Sequence, residues 1–193
     1  MTMSLPLDVP GDPGAGYRIT RIGPASIGDF LAVWNECATW LTARGIAQWA
    51  PVDPTPERVA ALAAKTSSQE WYLIHCGNEL AGAFTLRWDD PKAWGEQPPD
   101  AGYVHSLCVR RQFAGRALGH AMLDWAARRV AAQGRPWLRL DCRTSSSVLR
   151  AYYAAAGFFE VPPAPVTWAG STLFQRSTTS ESTDDDEERD RGE

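Results

Sequence analysis

The chain has 193 residues, 44% of them hydrophobic, a length that buries a sizeable core within one domain. Its four cysteines are dispersed without C-x-x-C pairs, which argues against a disulfide framework or a structural zinc site and predicts a reducing, cytoplasmic compartment. The net charge is only −4, and neither an export signal nor the roughly 18 apolar residues of a membrane span are found, so we expect no membrane partner.

The first half of the chain predicts two helices placed between strands. Residues 1–16 show no clear pattern, and we expect them to form a flexible segment. Thr55 and Pro56 are typical of an N-cap followed by proline in the first helical turn, and Gly77-Asn78 suits a tight hairpin. The predicted elements are a strand at Tyr17–Ile22, helices over about 30–41 and 56–65, and strands at Trp71–Cys76 and Leu80–Trp88.

The second half alternates strands with helices. Apolar residues from Leu118 to Val130 recur at the spacing of one helical face, and Gly157 is typical of a left-handed helix cap. The predicted elements are a strand at Ala101–Val109, a helix from near Gly115, a strand at Trp137–Cys142, a helix ending before Gly157, and strands at Phe158–Val161 and Thr167–Gln175. Together these elements predict a single α/β domain.

The turn before the first of these later helices has the features of an anion site. The first N–H groups of a helix lack intrahelical partners and carry the positive end of its dipole, so residues 112–119 offer donors to a phosphate. Gly115 and Ala117 lack the bulk that would keep a phosphate from the backbone. The alternative is a plain strand-to-helix connection, and neither the Walker pattern nor the dinucleotide fingerprint is met here.

Two short motifs stand out in this region. One is QFAGRA at 112–117, and the other is YAAAGF at 153–158. Both resemble motifs of the GNAT superfamily, the Gcn5-related N-acetyltransferases that use acetyl-CoA. The family's cofactor motif is Gln or Arg, two residues, Gly, one residue, and Gly or Ala, and its later motif is tyrosine, three residues and Gly-Phe. The resemblance implies a GNAT domain over 17–176.

The resemblance also implies the sheet and the cofactor site. The sheet would be mixed and mostly antiparallel, with six to seven strands flanked by about four helices, and splayed between the strands on either side of the cofactor helix. Ser146 stands where the family often has an asparagine. The expected acetyl-CoA contacts are Leu107, Cys108, Val109, Gln112, Phe113, Ala114, Gly115, Arg116, Ala117, Leu118, Gly119, Ser146 and Tyr153.

Acetyl transfer requires a base for the amine, a donor for the developing oxyanion and an acid for the departing thiolate. By resemblance the acid is Tyr153, with a core aromatic residue as the alternative. His105 is similar to a histidine of the arylalkylamine acetyltransferases and is the candidate base; it would otherwise be an ordinary strand residue. The resemblance places the oxyanion donor at a backbone N–H of Cys108 or Val109.

The acceptor is the least defined part of the prediction. Trp34, Trp40, Trp49 and Trp94 come from regions that line the acceptor side in the family, and an aromatic wall would suit an apolar or aromatic amine. Asp89, Asp90 and Glu96 would either orient a cationic amine or remain solvated loop charges. We therefore expect an acetyl-CoA-dependent N-acetyltransferase for a small-molecule amine, without a metal, and with a homodimer as a possibility.

Two alternatives stay open. One is a protein or peptide N-acetyltransferase, and the other is a non-catalytic acyl-CoA-binding module that engages a partner. The acidic end of the chain bears on the second: Ser180–Glu193 contains eight acids and two arginines, so we predict a disordered tail over 177–193. The rest of the chain, with fifteen acids and seventeen bases, has no concentrated basic stripe, so nucleic acid is not an expected partner.

Overall fold

The computed structural model describes residues 4–12, 14–46 and 48–179. The elements in chain order are β1 (Ser4–Pro6), β2 (Tyr17–Ile22), α1 (Ile27–Thr42), α2 (Pro56–Ala64), β3 (Glu70–Cys76), β4 (Glu79–Arg87), α3 (Pro91–Trp94), β5 (Ala101–Val109), α4 (Leu118–Ala131), β6 (Trp137–Arg143), α5 (Ser147–Ala155), β7 (Phe159–Val161) and β8 (Ser171–Ser177). The start of the predicted disordered tail at 177 is wrong, because Ser177 belongs to β8 and the N–H of Thr178 donates to the carbonyl oxygen of Pro136 at 2.9 Å. The acidic run from Ser180 lies outside the described residues.

All eight strands join one sheet in the order β1-β2-β3-β4-β5-β6-β8-β7. Neighbouring strands are antiparallel except β5 and β6, which run parallel. The prediction of a mixed, mostly antiparallel sheet is confirmed, although the described residues form eight strands and five helices in place of six to seven and about four. The last strand begins at Ser171 rather than Thr167, because the chain turns just before it at Gly170, whose φ is +93°.

Residues 4–9 pair or pack with the rest of the domain, so the expectation of a flexible segment over 1–16 is wrong for this part. Ser4 to Pro6 pairs with β2 at the edge of the sheet. Leu7 and Val9 are buried in the main core. A three-residue edge strand that includes proline is too short to give a periodic signal, which explains why the sequence pattern did not predict it.

Helices cover both faces of the sheet. Tyr72 and Ile74 of β3 pack with α4 in one hydrophobic cluster, whereas Trp71 and Leu73 pack with α1 in another. Successive strand residues point to opposite faces, so this alternation places α1 and α4 on opposite sides. Among the described residues, no helix has the length and apolar character needed to cross a membrane.

The sheet opens between its two parallel strands. β5 and β6 are paired only over three residues, from Ala101–Tyr103 to Trp137–Arg139, although β5 continues to Val109 and β6 to Arg143. Ser106 has a φ of +57°, and the register of β5 against β4 shifts beside it, as in a β-bulge. A bulge bends its strand and re-aims its side chains. The predicted splay on either side of the cofactor helix is therefore present.

Candidate active site

The turn between β5 and α4 presents free backbone N–H groups. Gly115 and Ala117 both have positive φ, +78° and +58°, and α4 begins at Leu118 rather than near Gly115 as predicted. The first helical hydrogen bond runs from the N–H of Ala121 to the carbonyl oxygen of Ala117, at 3.1 Å. The N–H groups of residues 115–120 have no hydrogen-bond partner among the described residues. This arrangement is a cradle for an anion at a helix N-terminus.

The side chains of the same motif are hydrogen-bonded or buried within the protein. Gln112 donates to Glu79 Oε2 at 2.7 Å, and Arg116 donates to Asp12 Oδ2 at 3.1 Å. Phe113 and Leu118 are buried in the core. The N–H of Ala114 is also engaged, because it donates to the carbonyl oxygen of Arg111 at 3.2 Å. An anion at this turn would therefore meet the backbone N–H groups of residues 115–120 rather than these four side chains.

A cleft of about 730 Å³ opens where β5 and β6 separate. Its walls include, from the predicted cofactor contacts, Leu107, Cys108, Val109, Ser146 and Tyr153. Ser146 Oγ accepts a hydrogen bond from the N–H of Leu149 at 3.3 Å, so this hydroxyl serves as the N-cap of α5. The opposite wall comes from α1 and the residues after it, including Trp40 and Ile46. The cleft is long and largely apolar, as a pantetheine arm requires.

A second cavity, of about 300 Å³, adjoins this cleft. Gln48, Trp49, Leu107, Arg143 and Tyr153 line both spaces, so the two are continuous. The residues that line only the smaller cavity are Trp34, Arg87, Val104, His105, Ser106, Asp141, Cys142 and Trp168.

Tryptophans form part of the wall of this smaller cavity. Trp34 and Trp49 stack with their ring centroids 4.5 Å apart. Trp168 was not singled out by the sequence and contributes another face. Trp94, which the sequence analysis grouped with the acceptor side, packs instead against Tyr103 and lines neither space.

His105 meets two carboxylates at the inner side of the small cavity. Its Nε2 lies 2.9 Å from Oδ2 of Asp90, an ion-pair contact without the angle of a formed hydrogen bond. Asp90 is only 5% exposed, whereas its neighbour Asp89 is exposed. Asp141 completes the group, because one ligand atom from each of the three residues lies within 4.8 Å of the other two. Such a group attracts a cation, whether a metal ion or an ammonium.

The two adjacent tyrosines of α5 have different surroundings. Tyr153 faces both spaces of the site, and burial raises the pKa of its phenol well above the ordinary value. Tyr152 stacks on His120 with the ring centroids 4.5 Å apart, and its hydroxyl lies against Gly119. Burial raises the pKa of Tyr152 to about 12. Of the two, only Tyr153 is placed to meet a reacting group.

The two cysteines at the cleft are free thiols. Cys108 is buried on β5, and burial raises its pKa well above the ordinary value, so it stays protonated near neutrality. Cys37 of α1 is also buried, and its Sγ donates to the carbonyl oxygen of Val109 at 3.4 Å. A buried, protonated thiol is a poor nucleophile. Cys108 is therefore poorly suited to act as a nucleophile.

Sequence reasoning missed part of this site. Asp141, Arg143 and Trp168 were not among the predicted site residues. Asp141 and Arg143 are two residues apart on a short strand that leads into the predicted cofactor region, and this polar alternation was the available signal. Trp168 lies in a loop before β8 and gave no signal of its place.

Comparisons with known proteins agree with this geometry. The sequence profile of the acetyltransferase (GNAT) family matches residues 30–158. An N-acetyltransferase named YesJ from Bacillus subtilis (strain 168), itself described as uncharacterised, is 29% identical over 150 residues, which cover 75% of this chain and 81% of that protein.

Solved structures with the same fold include two bacterial acetyltransferases. A GNAT-family acetyltransferase from Listeria monocytogenes 4b F2365 has a TM-score of 0.72 at 23% identity, covering 91% of this chain and 99% of its own. The acetyltransferase yncA from Salmonella typhimurium, solved with acetyl-CoA, has a TM-score of 0.59 at 14% identity. The match covers 86% of this chain and 96% of that chain.

Proposed function

Because this chain belongs to the GNAT acetyltransferase family, we propose that it transfers an acetyl group from acetyl-CoA to the primary amine of a small molecule, by direct attack in a ternary complex. The observation that carries the proposal is the position of Tyr153 and His105. They come from α5 and β5, on either side of the splay, and line one cavity that is continuous with the larger cleft.

The described residues fit acetyl-CoA. The free N–H groups at 115–120 would hold its pyrophosphate, and the edge of β5 at Leu107, Cys108 and Val109 would pair with its pantetheine arm. When bound, acetyl-CoA supplies an activated acetyl thioester. The backbone N–H of Cys108 or Val109 is the proposed donor to the thioester oxygen.

His105 is the proposed general base. Its Nε2 contacts Asp90, which leaves Nδ1 as the nitrogen that accepts a proton from the acceptor's ammonium group. Asp90 acts through His105 by fixing the orientation of the ring, and is in this sense a positioning residue. Its burial prevents it from pairing with solvent instead.

Tyr153 is the proposed general acid. The proton that His105 takes from the ammonium group passes to solvent before attack. As the N–C bond forms, the nitrogen loses a second proton to His105, and as the C–S bond breaks, Tyr153 gives its proton to the sulfur. The proton held by His105 then restores the phenol of Tyr153 through solvent. The burial that raises the pKa of the phenol also penalises a thiolate beside it, so the proton transfer stays favourable. The phenol is fully protonated at neutral pH and ready to donate.

The proposal includes a cytoplasmic location. It is supported by the four free cysteines, which suit a reducing compartment. The acceptor would be a small molecule because the cavity beside His105 is only about 300 Å³. We propose domain limits close to the predicted 17–176, with β1 added at the N-terminal side.

The experiment is a measurement of CoA thiol release with saturating acetyl-CoA across arylalkylamines, polyamines, amino acids, aminoglycosides and short peptides. Release that depends on one class of small amine supports the proposal. Thiol release with peptides alone would instead show that the protein is a peptide N-acetyltransferase. Acetyl-CoA binding by calorimetry without any release would favour the non-catalytic binding module.

A further inference from the structure

One strand places an acidic and a basic side chain next to each other in the small cavity. Asp141 and Arg143 are two residues apart on β6, so their side chains project from the same face of the sheet. Both line the cavity that contains His105. Asp141 is fixed in place, because Ser171 Oγ donates to its Oδ2 at 2.8 Å. Its second carboxylate oxygen remains available to a ligand.

Arg143 has no acidic partner in the described part of the chain. No carboxylate oxygen of the described residues lies within 4.0 Å of its guanidinium, which instead lies over the ring of Trp168, with Cζ 5.6 Å from the ring centroid. The other arginine of the cavity, Arg87, is engaged by Gln69 at 2.8 Å and by Asp90 at 3.8 Å. A guanidinium in a half-buried site without an anion is the natural partner of a carboxylate ligand.

The charged side chains of the cavity therefore divide into those that have an oppositely charged partner and those that have none. Asp90 and Arg87 have opposite charges and lie 3.8 Å apart, so they balance each other. Asp141 and Arg143 remain, with opposite charges, and they do not pair with each other. A ligand that carries both an ammonium and a carboxylate would satisfy both of them, whereas a simple amine would satisfy only Asp141.

The walls of the cavity indicate the rest of the ligand. Trp34 and Trp49 stack on each other, and both line the cavity together with Trp168, so its wall is largely aromatic. Aromatic surfaces of this kind pack best against another ring. A volume of about 300 Å³ has room for one small molecule with a single ring.

We infer that the acceptor is a free aromatic α-amino acid, with its ammonium group at Asp141, its carboxylate at Arg143 and its ring against Trp34 and Trp49. This inference rests on the proposed function. The acetyl-CoA phosphates do not compete for Arg143, because the anion cradle lies at residues 115–120, which line neither cavity. A peptide N-terminus lacks a carboxylate on the same carbon, so the inference separates free amino acids from peptides.

The test compares kcat/KM for L-phenylalanine, L-phenylalaninamide and phenethylamine, which share a ring and an amine but differ in the carboxylate. The wild-type protein should prefer L-phenylalanine by about 10- to 100-fold, the range of one charge-assisted ion-pair contact. Arg143→Gln should remove this preference by slowing only the amino acid, and Arg143→Lys should restore part of it. Asp141→Asn should slow all three.

Arg58→Gln is the matched control, because Arg58 is exposed on α2 and lines neither cavity, so the preference should stay intact. Calorimetric binding of L-phenylalanine, weakened by Arg143→Gln but not by Arg58→Gln, is the readout that does not depend on turnover. Equal or better rates with the amide and phenethylamine would overturn the inference and leave the proposed function standing. No thiol release with any amine, while acetyl-CoA binds, would overturn both.

Discussion

His105 Nε2 lies 2.9 Å from Asp90 Oδ2, which joins a residue of β5 to the residue that precedes α3. The side chain of Asp90 is 4% exposed and that of His105 is 19% exposed, so the carboxylate lies behind the ring and the ring faces the cavity. A buried carboxylate beside one imidazole nitrogen favours the tautomer that carries its proton on that nitrogen, which leaves the other nitrogen able to accept a proton. This pair is the basis of the base assignment.

Replacing the positioning carboxylate should slow chemistry without weakening cofactor binding. We expect Asp90→Asn to lower kcat by about 10- to 100-fold, within the contribution of general acid–base catalysis, because the imidazole loses its fixed orientation. The KM for acetyl-CoA should change little. Asp89→Asn is the control, since Asp89 is adjacent but exposed. Equal kcat values for the two variants in steady-state assays would contradict the role of Asp90.

The pH dependence of turnover should reflect the burial of Tyr153. Burial raises the pKa of its phenol above the ordinary tyrosine value of about 10, so the proton-donating form persists through that pH. We expect kcat to show no descending limb from Tyr153 between about pH 8 and 10. The fold stability contributed by the neutral phenol is likewise complete below about pH 10 and is lost above it. A descending limb below pH 10 that vanishes in Tyr153→Phe would refute this account.

The contact between Gly119 and Tyr152 predicts a specific clash. A Cβ at position 119 would lie 2.2 Å from the Tyr152 hydroxyl oxygen, and the next atom, Tyr152 Cζ, lies at 3.4 Å. We expect Gly119→Ala to destabilise the fold by about 1–3 kcal/mol, as overpacking does, and to weaken acetyl-CoA binding at the adjacent turn. In a Tyr152→Phe background the same alanine should cost much less. Denaturant unfolding of the four proteins measures this, and additive effects would contradict it.

Direct transfer predicts that no acetyl group rests on the protein. Cys108 is buried, and its raised pKa keeps it as a thiol. Intact mass spectrometry after incubation with acetyl-CoA alone should therefore give the unmodified mass, and Cys108→Ala should retain turnover if its fold is intact. A stable acetyl adduct, formed without an acceptor and lost when the amine is added, would be evidence for a covalent route instead.

Local patterns predicted most of the elements, because each carries its own periodicity. The largely apolar run of β5 and the apolar face of α4 lie within single segments, and the Thr55 cap appears in the structure as an acceptor from the N–H of Arg58. The start of α4 was misplaced by three residues. The left-handed Ala117 delays the helix, and a positive φ at alanine is not expected from propensity.

Local sequence patterns could not predict which residues meet across the site. Asp90 and His105 are fifteen residues apart, and they meet only because β4 and β5 pair antiparallel and the bulge at Ser106 re-aims β5. Asp141 joins them from β6, which touches β5 over only three residue pairs. Such contacts depend on strand order and register, which sequence spacing does not determine.

The central claim is that Tyr153 acts as the acid in amine-dependent acetyl transfer, and its most direct test uses the neighbouring tyrosine as the control. Thiol release with the best amine of the panel should fall by about 100-fold or more in Tyr153→Phe, while acetyl-CoA binding is retained. Tyr152→Phe, which removes a hydroxyl from the same helix outside both cavities, should stay close to the wild-type rate. Equal rates in the two variants would contradict the claim.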